Sequence, residues 1–270
     1  MKNDIQTFES TVWDYYRENY RPMPWREDPS GYHVLVSEIM LQQTQVPRVI
    51  VKFEEFMTAF PTIHDLANAP LSQVLTVWKG LGYNRRAKFL HESARQIVRD
   101  FNGQIPNDHK SLVSLKGIGP NTAGAIQAYV YNEPVIFIET NIRRVFIHHF
   151  FEDKVGVEDK ELLPLIKKAL PQNNPREWYW ALMDYGTYLK TIVPNPNRRS
   201  KHYTKQSKFE GSRRQLRAQV LDYIVHHPHQ TLTQIEKAFP DALYSVYDIL
   251  QDLTKENLIC IEKSKFSIQD

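Results

Sequence analysis

"LKGIGPNTAGAI", residues 115–126, sets two glycines around an apolar residue where one amphipathic helix stops and another starts. Gly117 and Gly119 let the chain turn tightly and expose main-chain N–H groups, while the helix opening near Asn121 adds the positive end of its dipole. Such a turn suits a phosphate, although a plain helical hairpin with glycine caps would use the same two residues. The G-x-G spacing alone does not choose between these readings. The longer pattern L-x-G-[IV]-G-x-x-T-A-x-A, which includes Thr122, is far more restrictive.

On either side of this hairpin, residues 8–188 read as successive amphipathic helices, with apolar side chains three and four apart and short punctuated connections. The spacing predicts helices over 7–18, 32–41, 47–60, 63–67, 71–80, 84–101, 109–115, 121–131, 141–149, 160–169 and 175–189, with no strand alternation among them. The stretch 192–212, IVPNPNRRSKHYTKQSKFEGS, loses this periodicity and is rich in proline, serine and cations, which marks a boundary. Beyond it come three further helices, in RRQLRAQVLDYIVHH, TLTQIEKAF and ALYSVYDILQDLTKE. LICIEKSKFSIQ then alternates like a strand pair turning near residues 263–265. Three helices followed by a small hairpin form the pattern of a winged helix, a module that binds DNA in some proteins and other proteins elsewhere.

The chain has 270 residues, 41% of them hydrophobic and 24% charged, enough for one large domain or several modules with real cores. No apolar run is long enough for a membrane span, and MKNDIQTFES lacks a basic-then-apolar signal layout, so the expectation is a cytoplasmic protein with no membrane partner. The single Cys260 can neither form an internal disulfide nor by itself hold a metal or an iron–sulfur cluster. Net charge is only +3, but cations are concentrated: Arg198, Arg199, Lys201, Lys205, Lys208, Arg213 and Arg214 follow Lys190, with Glu210 the only acid before Arg217. A polyanion-binding segment and a solvated linker both fit that run.

The motifs SEIMLQQTQV (37–46), LANAPLSQVLTVWKGLGY (66–83), RAKFLH (86–91), LKGIGPNTAGAI and MDYGTYL (183–189) together resemble the helix-hairpin-helix DNA glycosylase superfamily. The resemblance is to the adenine DNA glycosylase (MutY) branch and less closely to endonuclease III, and it runs in family order from about residue 8 to 190. It implies a mainly α, two-module glycosylase fold over 1–190, with a six-helix module at about 26–132 and a second helical module from 1–25 and 133–190. A basic linker (191–212) and a small C-terminal winged-helix-like domain (213–270) would follow. The implied partner is double-stranded DNA containing a mispaired or damaged base, bound by a monomer associated with the nucleoid if the source is bacterial.

The resemblance also assigns roles. FIETNIRRV (137–145) falls where the superfamily has a catalytic aspartate opening a helix, so Glu139 becomes the carboxylate near the sugar; standing alone, it would read as a helix cap. Cleaving an N-glycosidic bond builds positive charge on the deoxyribose, which calls for one carboxylate near the anomeric carbon and one acid near the departing base. Glu38, in the segment resembling the MutY signature, is the implied acid, and it must stay protonated near neutral pH. Asn121 occupies the place of the amine nucleophile of bifunctional relatives, and an amide cannot form a Schiff base, so a monofunctional enzyme is expected. Gln42 and Tyr83 match positions that fill the hole left by the flipped base. Gly117, Gly119, Thr122, Arg143, Arg198, Arg199 and Lys201 are the further expected DNA-binding residues, with the glycine hairpin and the basic segment at Arg198, Arg199 and Lys201 suited to phosphates.

Three departures from the family pattern stand out. Glu139 is one methylene longer than aspartate, which in an unchanged backbone displaces its oxygens by roughly 1.5 Å. Lys190 stands where the first of four cluster-binding cysteines would be, so no iron–sulfur cluster, other cofactor or metal is expected. A short C-terminal module replaces the Nudix-like domain with which MutY recognises 8-oxoguanine. The expected function is monofunctional base-excision repair of mispaired adenine opposite 8-oxoguanine or guanine. Excision of uracil or thymine mispaired with guanine, or of oxidised pyrimidines, is the alternative within enzymes. A catalytically silent DNA-damage binder is the alternative outside them.

Overall fold

A computed structural model describes residues 4–205 and 208–270; residues 1–3 of the expected glycosylase region and 206 and 207 of the expected linker lie outside the described residues. The helices, in order, are α1 (Ile5–Asn19), α2 (Pro24–Glu27), α3 (Gly31–Leu41), α4 (Val46–Ala59), α5 (Ile63–Asn68), α6 (Leu71–Trp78), α7 (Arg85–Phe101), α8 (His109–Ser114), α9 (Pro120–Tyr131), α10 (Thr140–Phe150), α11 (Asp159–Ala169), α12 (Pro175–Ile192), α13 (Arg213–His226), α14 (Leu232–Ala238) and α15 (Val246–Lys255). A 3-10 turn covers Pro196–Arg199. Strands β1 (Gln230–Thr231), β2 (Ile259–Glu262) and β3 (Lys265–Ile268) complete a mainly helical chain. No helix is long and apolar enough to cross a membrane among the described residues.

Packing divides the chain into two compact units. The first holds residues up to 38, 107–114 and 118–205. Its centre is aromatic: the Phe8 ring lies 5.0 Å from Phe146 and 5.9 Å from Trp178, so α1, α10 and α12 close on one another through edge and tilted ring contacts. Gly186 of α12 permits the close approach to α10, because a Cβ there would lie 2.8 Å from both Cβ and the main-chain oxygen of Asn141. The 3-10 turn docks on α10 through polar groups: Asn197 Nδ2 donates to Thr140 O at 2.9 Å, and Arg199 Nη1 donates to Phe151 O at 2.9 Å. Residues 196–201 are thus a packed polar strap with Asn197 and Ser200 buried, rather than a free linker. Hydrogen bonds to main chain replace apolar side chains here, which is why no hydrophobic period marks them.

The second unit holds 39–106, 115–117 and the described residues of 206–270. Phe53, Phe56, Phe60, Leu66, Trp78 and Leu90 fill its core. In its C-terminal part α13, α14 and α15 pack with an antiparallel sheet of order β1-β3-β2. Lys263 and Ser264 both take positive φ, as a two-residue hairpin of primed type requires. The extra strand β1 is two residues long, too short for alternation to announce. The C-terminal part is tied to the 39–106 helices by Lys79 Nζ to Asp222 Oδ2 at 2.8 Å, by Ser72 N to Asp270 Oδ1 at 2.7 Å and by Lys88 Nζ to Glu256 O at 2.7 Å.

Candidate active site

Both expected catalytic carboxylates lie in the first unit. Glu38 sits on α3 between residues whose side chains are buried on either side, Ser37 and Ile39. Glu139 is the N-cap of α10: extended backbone directs its side chain back over the helix, where Oε1 accepts from Asn141 N at 2.5 Å and from Ile142 N at 2.9 Å. Asn141 Nδ2 reaches Glu139 Oε2 at 3.5 Å, and Arg144 Nη1 holds Asn141 Oδ1 at 2.5 Å and Gly186 O at 2.7 Å.

The two acids feel each other and differ in electrostatic surroundings. Each keeps part of its surface open to solvent, as a group that meets a substrate must, yet protein surrounds both closely. Burial pushes the Glu38 carboxyl up to about 8; the negative field of Glu139 adds to the rise and Arg26 opposes it. Burial also raises Glu139, but the N–H groups of Ile142 and Asn141, with Arg144 and Arg143, pull it back. Both carboxyls are raised, and the two differ in what opposes the rise: only Arg26 for Glu38, but two helix-end N–H groups and two arginines for Glu139. Tyr129 is buried in the field of both acids, its hydroxyl kept neutral chiefly by burial.

A buried ion pair holds the surrounding wall. Arg26 donates from Nη1 to Asp184 Oδ2 at 2.8 Å and from Nη2 to Oδ1 at 3.0 Å, with Arg21 Nε adding a 2.7 Å bond to Oδ1. The Arg26 guanidinium lies 5.5 Å from the Trp180 ring, which in turn stacks on Tyr129 at 6.3 Å. Sequence reasoning missed Arg26, Tyr129 and Asp184 as parts of the site. The pairing of Arg26 with Asp184, 158 residues apart, and the burial of Tyr129 in the field of both acids bring them to notice.

Asn121 lies exposed in the first turn of α9, and its Oδ1 accepts from Ile138 N at 3.3 Å, joining it to the segment that delivers Glu139. Gly119 is the N-cap of α9, with no side-chain cap bond, and Thr122 is in its first turn. Gly117 is left-handed (φ 76°), and a Cβ there would come within 2.9 Å of Phe89 Cβ, so both backbone and space demand glycine. Arg143 makes a bidentate pair with Asp159, both bonds 2.7 Å. Arg199 is spent on carbonyls at the end of α10, including Glu152 O, and Lys201 pairs with Glu158 at 2.7 Å. Arg198 is exposed. The structure thus gives Arg143, Arg199 and Lys201 internal partners, which a sequence count of cations cannot reveal.

In the second unit, Arg86 gathers the loops that bear Gln42 and Tyr83. Its Nη1 donates to Ile39 O, Met40 O and Gln42 O at 2.8, 2.8 and 2.6 Å, and its Nη2 to Thr44 Oγ1, Leu81 O and Gly82 O at 3.0, 3.1 and 3.2 Å. Gln42 Nε2 donates to Gly117 O at 3.3 Å. Tyr83 stands at φ 48°, a left-handed conformation costly for an aromatic residue, directly after Gly82 at 70°.

The segment after α12 does not fit an iron–sulfur cluster. It holds no cysteine, and the one thiol of the chain, Cys260, sits in β2 with Sγ 3.5 Å from Ser267 Oγ. Among the described residues no group of three or more His, Cys, Asp or Glu side chains could hold a metal.

Residues 36–171, which span both acids and the hairpin, match the family model of the HhH-GPD superfamily base excision DNA repair proteins. The chain belongs to the HhH-GPD superfamily. Among curated proteins, the adenine DNA glycosylase of Buchnera aphidicola subsp. Baizongia pistaciae is 33% identical over 194 residues, covering 70% of this chain and 54% of the relative. That of Mycobacterium tuberculosis is 43% identical over 138 residues, covering 51% and 45%. The chain therefore spans about half the length of these relatives. Among solved structures, a thermostable thymine-DNA glycosylase superposes with TM-score 0.62 at 24% identity, covering 73% of this chain and 90% of the other. An endonuclease III bound noncovalently to DNA gives 0.60 at 18%, covering 71% and 90%. At these identities the likeness is one of HhH-GPD fold.

Proposed function

We propose that this HhH-GPD protein is a monofunctional DNA glycosylase that releases adenine mispaired with 8-oxoguanine or guanine, binding double-stranded DNA as a monomer in the cytoplasm or nucleoid. The observation that carries the reading is the carboxyl pair: Glu38, pushed up to about 8 by burial and by the field of Glu139, and Glu139, which caps α10 through the N–H groups of Asn141 and Ile142. Glu38 donates its proton to the adenine ring, so the base departs as a neutral leaving group when the C1′–N9 bond breaks and its electrons pass to the base. Glu139 stabilises the positive sugar, either as a neighbouring charge or by transient bonding to C1′; water then supplies the hydroxyl of the abasic product and gives up one proton. Asn121 offers no amine, which supports hydrolysis without strand cleavage.

Adenine as substrate is supported by the curated relatives, which are named adenine DNA glycosylases. The glycine hairpin and the uncapped first turn of α9 suit a phosphate. Gln42 and Tyr83, on loops tied by one arginine, suit the filling of a stack gap. No cluster or other cofactor enters this chemistry. The order α13, β1, α14, α15, β2, β3 supports a winged-helix reading of residues 213–270.

The test is single-turnover base release with excess protein on duplexes holding A opposite 8-oxoguanine or G, U or T opposite G, and oxidised pyrimidines, each with and without alkali. Adenine release seen as strand breaks only after alkali is the expected result. Pyrimidine release would reassign the substrate. Binding without release from any duplex would make the protein a damage binder, and a borohydride-trapped covalent adduct would overturn the monofunctional mechanism.

A further inference from the structure

The polar strap 196–201, with Asn195 before it, holds α10 at both ends. At the C-terminal end Arg199 donates to Phe151 O at 2.9 Å and to Glu152 O. The main chain there is fixed in turn by Val157 N to Arg199 O and Lys201 N to Val157 O, both 2.9 Å. At the N-terminal end Asn197 Nδ2 donates to the carbonyl of Thr140, the residue that follows Glu139. Asn195 Oδ1 accepts from Asn197 N at 3.2 Å, which caps the 3-10 turn, and from Arg144 Nε at 3.3 Å.

The bond to Arg144 continues toward the site. Arg144 Nη1 holds Asn141 Oδ1, and the other end of that amide, Nδ2, faces Glu139 Oε2 at 3.5 Å. The main-chain N–H groups of Asn141 and Ile142 hold Glu139 Oε1. Both oxygens of Glu139 are therefore met by groups of the first turn of α10, and that turn is what the strap grips. The residue types matter as well. An apolar side chain could cover α10 without the cost of burying the Asn197 amide, which is only 5% exposed. A hydrogen bond instead fixes a distance and a direction that apolar packing leaves loose. Misplacing a catalytic group by about 1 Å costs on the order of a hundredfold in rate, so such precision has a use here.

We infer that Asn195 and Asn197 are positioning residues of the active site: they fix the first turn of α10 and, through Arg144 and Asn141, orient the Glu139 carboxyl. The inference rests on the proposed glycosylase reading for its effect on rate, but not for its effect on Glu139 itself. The start of the segment that the sequence offers as a basic DNA-binding linker thus acts on the chemistry.

The titration of Glu139 reports its surroundings without catalysis, because the N–H groups of Ile142 and Asn141, with Arg144 and Arg143, oppose the rise that burial causes, and Glu38 and Tyr129 lie in its field. The full chain, labelled with carbon-13 at glutamate carboxyls, is titrated by NMR, the Glu139 signal being the one lost in Glu139→Gln. In the double variant Asn195→Ala, Asn197→Ala the midpoint is expected to rise by about half a pH unit or more. The acid limb of single-turnover adenine release should move up with it, and release at neutral pH should slow about tenfold. Affinity for a duplex carrying a tetrahydrofuran abasic analogue should stay within about threefold of the parent's. Asn195→Ala alone should show the same signs more weakly, and Asn195→Asp, which keeps the accepting oxygen, should restore the parent's rate. A folded double variant with the parent's Glu139 midpoint would overturn the inference, as would slower release with an unmoved acid limb, or release lost only in proportion to duplex affinity. Should the double variant misfold, an unmoved midpoint in Asn195→Ala, at a half-buried position, does so. A raised midpoint in the variants with no adenine release by the parent chain would uphold the role of the strap and remove the glycosylase reading instead.

Discussion

If Glu38 is the acid that protonates the departing base, its titration should govern the alkaline limb of base release. The ordinary glutamate value of 4.5 would leave only about 0.3% of the group protonated at pH 7, whereas a value of about 8 leaves about 90%. Single-turnover release should therefore hold nearly level up to about pH 7, reach half its plateau near 8, and fall about tenfold per pH unit above that. The same group carries a cost in stability. Because its folded-state value lies above the unfolded one, the folded chain binds the proton more tightly, so the penalty is absent below about 4.5, grows as pH rises and is complete above about 8. The interval from 4.5 to about 8, at about 1.4 kcal/mol per pH unit, comes to at most about 5 kcal/mol, reduced by the part of the carboxyl that faces water. Glu38→Gln should accordingly slow release about a hundredfold or more, abolish the alkaline limb, and melt several degrees above the parent at pH 9 but level with it at pH 4. A wild-type profile with no alkaline limb, or a glutamine variant that keeps both rate and limb, would refute the assignment of the proton.

Glu139→Asp withdraws the carboxylate by one methylene from a helix end already shaped around glutamate; base release should slow about 10- to 100-fold, and marked acceleration would show that the native site is the misplaced one. Arg86→Met removes the donors of six hydrogen bonds at a site only 8% exposed, and unfolding by denaturant should show a loss of about 3 kcal/mol or more. A loss below about 1 kcal/mol would mean that the 39–44 and 81–82 segments hold together without it. Gly186→Ala forces a methyl against Asn141 and should cost about 1–3 kcal/mol, with base release falling alongside because α10 carries Glu139; a fully active, equally stable variant would contradict the close packing of α12 on α10.

Much of this protein was legible before any coordinate. Helical periodicity marked α1 and α3 to α12 nearly to their ends, most clearly where a helix buries one apolar stripe, as α4, α7 and α11 do; α9, which buries seven consecutive residues, is marked instead by its glycine hairpin. The short α2 and the 3-10 turn escaped notice because four residues cannot display a period. LKGIGPNTAGAI disclosed its hairpin because positive φ at Gly117 and the closeness of Phe89 leave almost no other residue admissible. Glu38, Glu139, Gln42 and Tyr83 were singled out from local motifs that resemble family positions.

Tertiary structure alone decided the surroundings of those residues. Whether Glu38 keeps a proton depends on burial and on a second carboxylate 101 positions away, and neither is written in SEIMLQQTQV. The availability of a cation depends on its partners: Arg143 looked like a DNA contact until Asp159 engaged its Nε and Nη2, and Arg199 until the carbonyls ending α10 engaged its guanidinium. Only three dimensions place Arg214 of the C-terminal part against Tyr83, 131 residues earlier. Sequence determines what each segment can form through interactions a few residues long. Proton affinities and ion pairs arise from groups that folding brings together across the chain, so only the folded chain settles them.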